Sequence, residues 1–265
     1  MKLMNPCMEC FKENGVPTFI GSAEFHQELS DKYDVDSFYL EMTCPNGHHT
    51  ITWMQAFRFE VLFDFAMRCF AKEDYEASVS YFGAAKERFC WFFVKFALRK
   101  INNSNPITEK FYKHVKNSSQ MQEGIFLAAY SILFDRDALK FDDNTQKIRN
   151  AVVHNGQFVG KDEAKKYGEA VLTFIVEILN EMKIKFSNFY LEECEERAKI
   201  LNSIKELKDK KIDAGSSMCS VFLSKAEIDD DFDKLLENYK KDLELFSEEK
   251  LQGISATLTA LIKNK

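Results

Sequence analysis

Apolar side chains recur at three-to-four-residue spacing through most of the chain. From about Trp53 to Phe70 they cover a broad arc, and Tyr75, Val79, Phe82, Phe89, Phe93 and Phe96 carry the spacing toward Lys100. That period puts them on one face of an α-helix, so two long antiparallel helices are predicted. Asn102 to Pro106 ends the second. Shorter helices are expected at about Ile107 to Val115 and Gln120 to Phe134, then one ending near His154. A long one follows at about Asp162 to Met182, with Tyr167, Val171, Phe174, Ile178 and Met182 on one face. Such an aromatic stripe is the core of a helical bundle. Beyond Met182, Leu191, Cys194, Leu201 and Ile204 mark another helix, and Ala214-Gly215-Ser216-Ser217 marks a turn. Two amphipathic helices close the pattern, one on Phe232, Leu235, Tyr239, Leu243 and Phe246, the other on Leu251, Ile254, Leu258 and Leu261. Their acidic faces include Asp229, Asp230, Asp231 and Asp233.

The first 52 residues break this rhythm. Most of the turn signals lie there, among them Pro6, Gly15, Pro17, Gly21, Pro45 and Gly47, while Val16 to Ile20, Ser37 to Thr43 and Thr50 to Trp53 read as short strands. The expected class is therefore mainly α, with a small β module at residues 1–52, a helical bundle at 53–184 and a helical extension at 185–265. Cys7 and Cys10 form a C-x2-C knuckle, and Cys44-Pro45-Asn46-Gly47-His48 repeats its layout with His48 as the fourth donor. This is a zinc-ribbon pattern, in which Cys3His ligation of Zn2+ holds together a piece too small for its own core. His49 is a rival for the fourth position. With all four ligands supplied by protein, the ion is structural and leaves no open position for catalysis. Cys69, Cys90, Cys194 and Cys219 are scattered and read as free thiols.

Composition narrows the class further. At 265 residues and 45% hydrophobic, with 25 Phe, the chain can bury a substantial core. Its most apolar window, Phe89 to Leu98, is short and interrupted by Lys95. No membrane span and a cytoplasmic location are expected, which fits seven cysteines used as thiols or ligands rather than disulfides. The net charge of −6 argues against non-specific polyanion binding and restricts any nucleic-acid contact to a local site. One candidate is the basic run Lys86, Arg88, Lys95, Arg99, Lys100, Lys110, Lys113 and Lys116, opposed only by Glu87 and Glu109; a solvated helix face gives the same pattern. There is no P-loop, dinucleotide fingerprint or serine-centred elbow.

The polar residues that stand out lie in Lys147-Ile148-Arg149-Asn150-Ala151-Val152-Val153-His154-Asn155-Gly156. Asp142, Asp143, Asn144 and Thr145 offer an N-cap, and Gly156 suits a left-handed C-terminal cap. Asn150 and His154 are four apart and share a face, with Arg149 one step round. His154 sits where outward-pointing carbonyls favour positive charge, a position suited to moving a proton. A fixed cation, an amide and a titratable ring make a candidate phosphate site. A solvated arginine and a capping histidine would leave the same residues.

The stretch Arg149 to Gly156, between long apolar helices, resembles the Arg-x4-6-His signature of HEPN domains, including a polar residue directly after the arginine. The resemblance covers about residues 53 to 184 and is specific only in that stretch. It implies a HEPN-like bundle and a metal-independent endoribonuclease, of the kind found among toxins and antiviral-defence effectors. In that chemistry the RNA 2′-hydroxyl attacks the adjacent phosphate, His154 moves a proton, Arg149 stabilises the phosphoryl oxygens and Asn150 orients His154 or the phosphate. Lys86, Arg88 and Lys147 would grip RNA, and the motif would be completed across a homodimer, with a regulatory protein as a further partner. The alternative is a non-catalytic HEPN-like module that binds a nucleotide, RNA or a partner protein.

Overall fold

In the computed structural model the chain is mainly helical, as the spacing of its apolar residues predicts. The described residues are 5–15, 18–20, 23–26, 36, 39–54, 56–102, 114–115, 118–204, 212–215, 223 and 231–245. They group into two units. One holds the described residues of Met1–Phe57, Cys194–Ser220 and Glu237–Lys265, and the other those of Arg58–Glu193 and Val221–Leu236. Residues after 185 are thus shared between the two.

The first unit opens with β1 (Asn5–Cys7), α1 (Met8–Asn14) and β2 (Thr18–Ile20), with β1 and β2 antiparallel. Gly15 ends α1 in the left-handed conformation, φ 68°, and its N–H returns to the Phe11 carbonyl. Then come β3 (Ala23–His26), β4 (Tyr39–Thr43) and β5 (His49–Met54), an antiparallel meander in which Thr43 faces His49 across a tight turn at Gly47. The strands expected near Val16, Ser37 and Thr50 fall here; α1 and β3 were not legible. Trp53, which the pattern places both at the end of a strand and at the start of a helical stretch, lies in β5.

The second unit begins with α2 (Arg58–Ala71) and α3 (Tyr75–Asn102). Only three residues, Lys72 to Asp74, connect them, with Glu73 at φ 64°, and so short a link makes the helices antiparallel neighbours. Phe59 meets Phe89 and Phe63 meets Phe82 edge to face, with centroids 5.1 and 5.0 Å apart. Next are α4 (Ser119–Phe134), α5 (Asp143–Asn155) and α6 (Lys161–Lys185). Phe126 of α4 contacts Phe93 of α3 and Phe174 of α6, so one phenylalanine cluster joins three helices. The chain continues through α7 (Phe189–Ser203), β6 (Ile212–Gly215) and α8 (Phe232–Leu245). β6 pairs in parallel with β5, Ile51 opposite Ile212 and Met54 opposite Gly215, completing a sheet of order β3-β4-β5-β6. Ala214 and Gly215, expected in a turn, are strand residues. Asp231 caps α8 by accepting from the Asp233 and Lys234 amides at 3.0 and 3.1 Å. The helices expected over 251–261 and most of 107–115 lie outside the described residues. Among the described residues no helix is long and apolar enough to cross a membrane.

Gly168, in the middle of α6, is held by packing rather than by backbone conformation. A Cβ there would lie 2.7 Å from ring carbons of both Phe82 and Phe232, which are 0% and 2% exposed. Gly168→Ala gains about 1 kcal/mol of helix propensity, but overpacking against two buried rings costs roughly 1–3 kcal/mol. Urea unfolding of Gly168→Ala is expected to show a lower midpoint at unchanged slope; a rise would mean the rings shift freely.

Candidate functional site

Local sequence fixes where α5 begins and ends. The Asp142 carboxylate accepts from the Thr145 amide and hydroxyl, both at 2.8 Å. The hydroxyl bond is the larger influence holding this carboxyl below its ordinary range. At the other end Gly156 turns left-handed, φ 62°, and Gln157 N–H donates to the Ala151 carbonyl at 3.0 Å. Gln146, Arg149, Asn150 and His154 consequently follow one another along one face of the helix.

Arg149 is the centre of that face. Its Nη1 lies 2.9 Å from His154 Nε2 and donates to Asn150 Oδ1 at 3.3 Å, while its Nη2 donates to Glu87 Oε1 of α3 at 2.8 Å. A guanidinium can only donate, so in a hydrogen bond between the two Nε2 is the acceptor. The Arg149 side chain is 15% exposed, which makes the Glu87 carboxylate a necessary partner. Gly83, one turn before Glu87, makes room: a Cβ there would sit 3.1 Å from Arg149 Cγ and 3.3 Å from Tyr167 Oη. Burial pushes the Tyr167 phenol far up, so this hydroxyl stays neutral beside the guanidinium.

Arg149, Asn150 and His154 open onto a cavity of about 280 Å3 between α3, α4, α5 and α6. Its apolar lining includes Phe126, Phe141 and Phe174, and Gln120, Glu123 and Asn150 are exposed residues at its edge. Lys86 reaches it from α3. Only 9% exposed, it donates from Nζ to Gln146 Oε1 at 2.9 Å and lies 4.0 Å from the Phe141 ring centroid. Burial pushes its ammonium down from the usual lysine range. Nearby Cys90 is pushed up to about 12 by burial and remains an unreactive thiol.

The basic run therefore has a different character from the one expected. Lys86 faces the cavity and Lys95 is 9% exposed. Arg99 pairs with Glu193 and Lys100 with Glu192. Arg88 is half-buried and Lys147 is exposed, its Nζ bonded to Asn144 Oδ1 at 3.1 Å. Neither lines the cavity, and Lys110, Lys113 and Lys116 lie outside the described residues. Pairing and burial occupy the described cations, so they do not form an open basic strip. Glu87 and Gln146 were missed as site residues. Glu87 was visible only as an opposing charge, and Gln146 could have been found as the residue one turn ahead of Asn150.

In the first unit, Cys7, Cys10, Cys44 and His48 bring their ligand atoms within 4.8 Å of one another, close enough to hold one metal ion. His48 Nδ1 lies 3.7, 3.3 and 3.4 Å from the three sulfurs, and the Cys10 and Cys44 sulfurs are 3.7 Å apart. A tetrahedral ion with sulfur at about 2.3 Å and nitrogen at about 2.0 Å sets its donors roughly 3.5 to 3.8 Å apart, and these spacings lie within about 0.2 Å of that range. The surrounding bonds suit thiolates: Asn46 Nδ2 donates to Cys10 Sγ and His48 N–H to Cys44 Sγ, both at 3.3 Å. Glu13 Oε1 lies 3.2 Å from His48 Nε2, the carboxylate support that orients a ligating imidazole. His49 points elsewhere, its Nε2 3.1 Å from Thr43 Oγ1, so His48 is the fourth donor. With protons in the ion's place, burial pushes the Cys7 thiol to about 11, and hydrogen bonding to the Cys10 and Cys44 thiols raises His48 to about 9.

Compared with known proteins, the chain matches no family model, no curated protein and no solved structure.

Elemental analysis is expected to find one divalent ion per chain. His48→Ala and Cys10→Ser should lose it and raise protease cleavage within residues 1–52, whereas His49→Ala should keep it. A His48→Ala protein with full metal content would move the fourth ligand.

Proposed function

We propose that the chain is a metal-independent endoribonuclease of the HEPN type, with a structural zinc ion on Cys7, Cys10, Cys44 and His48. The observation that carries this reading is that Arg149, His154 and Asn150 line one cavity together, with the arginine 2.9 Å from Nε2 of the histidine. When a phosphodiester enters, its non-bridging oxygens compete for the Arg149 donors and release Nε2. His154 then accepts the 2′-hydroxyl proton, and the 2′-oxygen bonds to phosphorus as the bond to the 5′-oxygen breaks. Arg149, still anchored by Glu87, offsets the charge gathering on the phosphoryl oxygens, and Asn150 holds one of them. The 5′-oxygen takes its proton from His154 of a second copy, left protonated by the preceding turnover, so the two copies exchange roles at each cut. Pairing near the end of α5 is supported by Val153 in that helix, 44% exposed, and Phe158 in the loop after it, 91% exposed, apolar side chains that a second copy would cover. Zinc supplies no step: its four protein donors hold the module together and leave no position for water or phosphate.

A second reading rests on the same arginine. Because both of its terminal nitrogens are already bonded within the protein, Arg149 could serve as a brace between α3 and α5, with the cavity binding a ligand and cleaving nothing.

Total RNA incubated with the protein in EDTA is expected to be cut to products ending in 2′,3′-cyclic phosphate, with DNA untouched. His154→Ala and Arg149→Ala should each slow cutting by roughly 100-fold or more. Wild-type protein that binds RNA and leaves it whole would give the case to the second reading.

Phe158→Asp should shift sedimentation toward the monomer and lower the rate with it. A monomer that cuts at full rate would remove the paired site while leaving the roles of Arg149 and His154 intact.

A further inference from the structure

The cavity beside Arg149 and His154 has a lining that the cleavage chemistry does not use. Cutting a phosphodiester needs the groups on α5 and the carboxylate that holds them. It does not need a lysine in the lining, least of all one only 9% exposed. Lys86 has three ammonium donors, of which the bond to Gln146 Oε1 takes one. Burying an ammonium is costly unless the group is satisfied, and the burial that lowers its pKa shows how far it has been taken from water. Glu123 of α4 also lines the cavity, stands exposed, and is near enough for its charge to act on Lys86. Between them the walls are the rings of Phe126, Phe141 and Phe174.

An occupant must therefore be flat and apolar on its faces, accept hydrogen bonds on one edge and donate to a carboxylate on another. At about 280 Å3 the space lies at the lower limit of small-ligand pockets, roughly 300–1,000 Å3, which suits one base rather than a run of them. Among RNA bases, guanine alone offers two adjacent N–H donors, at N1 and N2, which a carboxylate accepts side by side. Its O6 and N7 acceptors are the commonest target of lysine in base recognition. Adenine presents a single exocyclic donor with no acceptor oxygen beside it, and uracil and cytosine lack the paired donors.

We infer that this cavity is a guanine-binding subsite, in which Glu123 accepts from the N1 and N2 protons, Lys86 donates to the O6 and N7 edge, and the phenylalanine rings cover the faces. The inference deepens the nuclease reading. A base seated there has its 3′-phosphate at the cavity edge, where Arg149 and His154 stand, so the enzyme would cut on the 3′ side of guanosine. Lys86 and Glu123 are binding residues and take no part in bond making.

Isothermal titration of the full-length, metal-loaded protein with the four nucleoside 3′-monophosphates tests this without reference to cleavage. Guanosine 3′-monophosphate is expected to bind at least tenfold more tightly than the adenosine, uridine and cytidine compounds. Inosine 3′-monophosphate, which keeps N1–H and O6 but lacks the N2 amine, should fall between. Glu123→Gln, at an exposed position that tolerates substitution, should reduce the guanosine-to-adenosine affinity ratio about tenfold, as should Lys86→Met, which retains the apolar stem. Equal binding of all four nucleotides, no binding at all, or a ratio unmoved in Glu123→Gln would overturn the subsite. Mapping cuts on a single-stranded RNA of mixed sequence separates the two readings. Selective guanosine binding without any cut leaves the subsite standing and removes the nuclease, whereas cuts indifferent to base, with no guanosine preference in binding, do the reverse.

Discussion

Much of the helical unit depends on keeping one guanidinium satisfied. Arg149 is too enclosed to rely on water and cannot lose its charge, so Glu87 must meet it from α3. That requirement sets the height of α5 against α3: a shift by one turn would leave a carboxylate and a guanidinium without each other, a worse outcome than any change of apolar packing at the same contact. Gly83 follows from it, because the arginine stem crosses α3 where a side chain would stand. So does the opening of the cavity, since the residues that share a face with Arg149 are carried to its edge along with it. The order of cause runs from ion pair to helix placement, and from there to the grouping of Asn150, Gln146 and His154.

A good part of this was readable along the chain. Asp142 and Gly156 bracket α5 through local bonds that do not depend on tertiary context, so its ends were legible. The four-residue cluster was legible for a similar reason: a sulfur pair three residues apart and a Cys-Pro-Asn-Gly-His turn have few other uses together. Glu87 was not, because its partner lies far along the chain and a carboxylate in a basic helix reads as relief of repulsion. Lys86 was misplaced although a signal existed. It falls four residues after Phe82, three before Phe89 and seven before Phe93, squarely on the stripe that marks the core of α3. Counting charge along the sequence concealed what the helical period shows.

The short elements failed for another reason. α1 has seven residues, less than an isolated helix needs to outweigh its nucleation cost. It is tethered instead at its first turn by Cys7 and Cys10, whose partners lie beyond β4. β3 and β6 have four residues each, and strand preference over so short a span is decided by the neighbouring strand rather than by the residues themselves. Ala214-Gly215 is a poor strand in isolation and becomes one because Trp53 and Met54 present a ladder for it.

That last pairing affects how the protein is made. β5 leaves the ribosome early, with β4 on one side and an open row of amides and carbonyls on the other, and the strand that covers this row is not translated until the entire stretch from Arg58 to Glu193 has emerged. During synthesis β5 is an unprotected edge, the kind of surface that recruits stray strands from other nascent chains. A chain cut short after α6 has emerged but before Ile212 would carry the Arg149 to His154 stretch with its N-terminal sheet still unclosed. Such fragments would be marked by stickiness more than by loss of the motif, and they would be natural targets for chaperones and proteases.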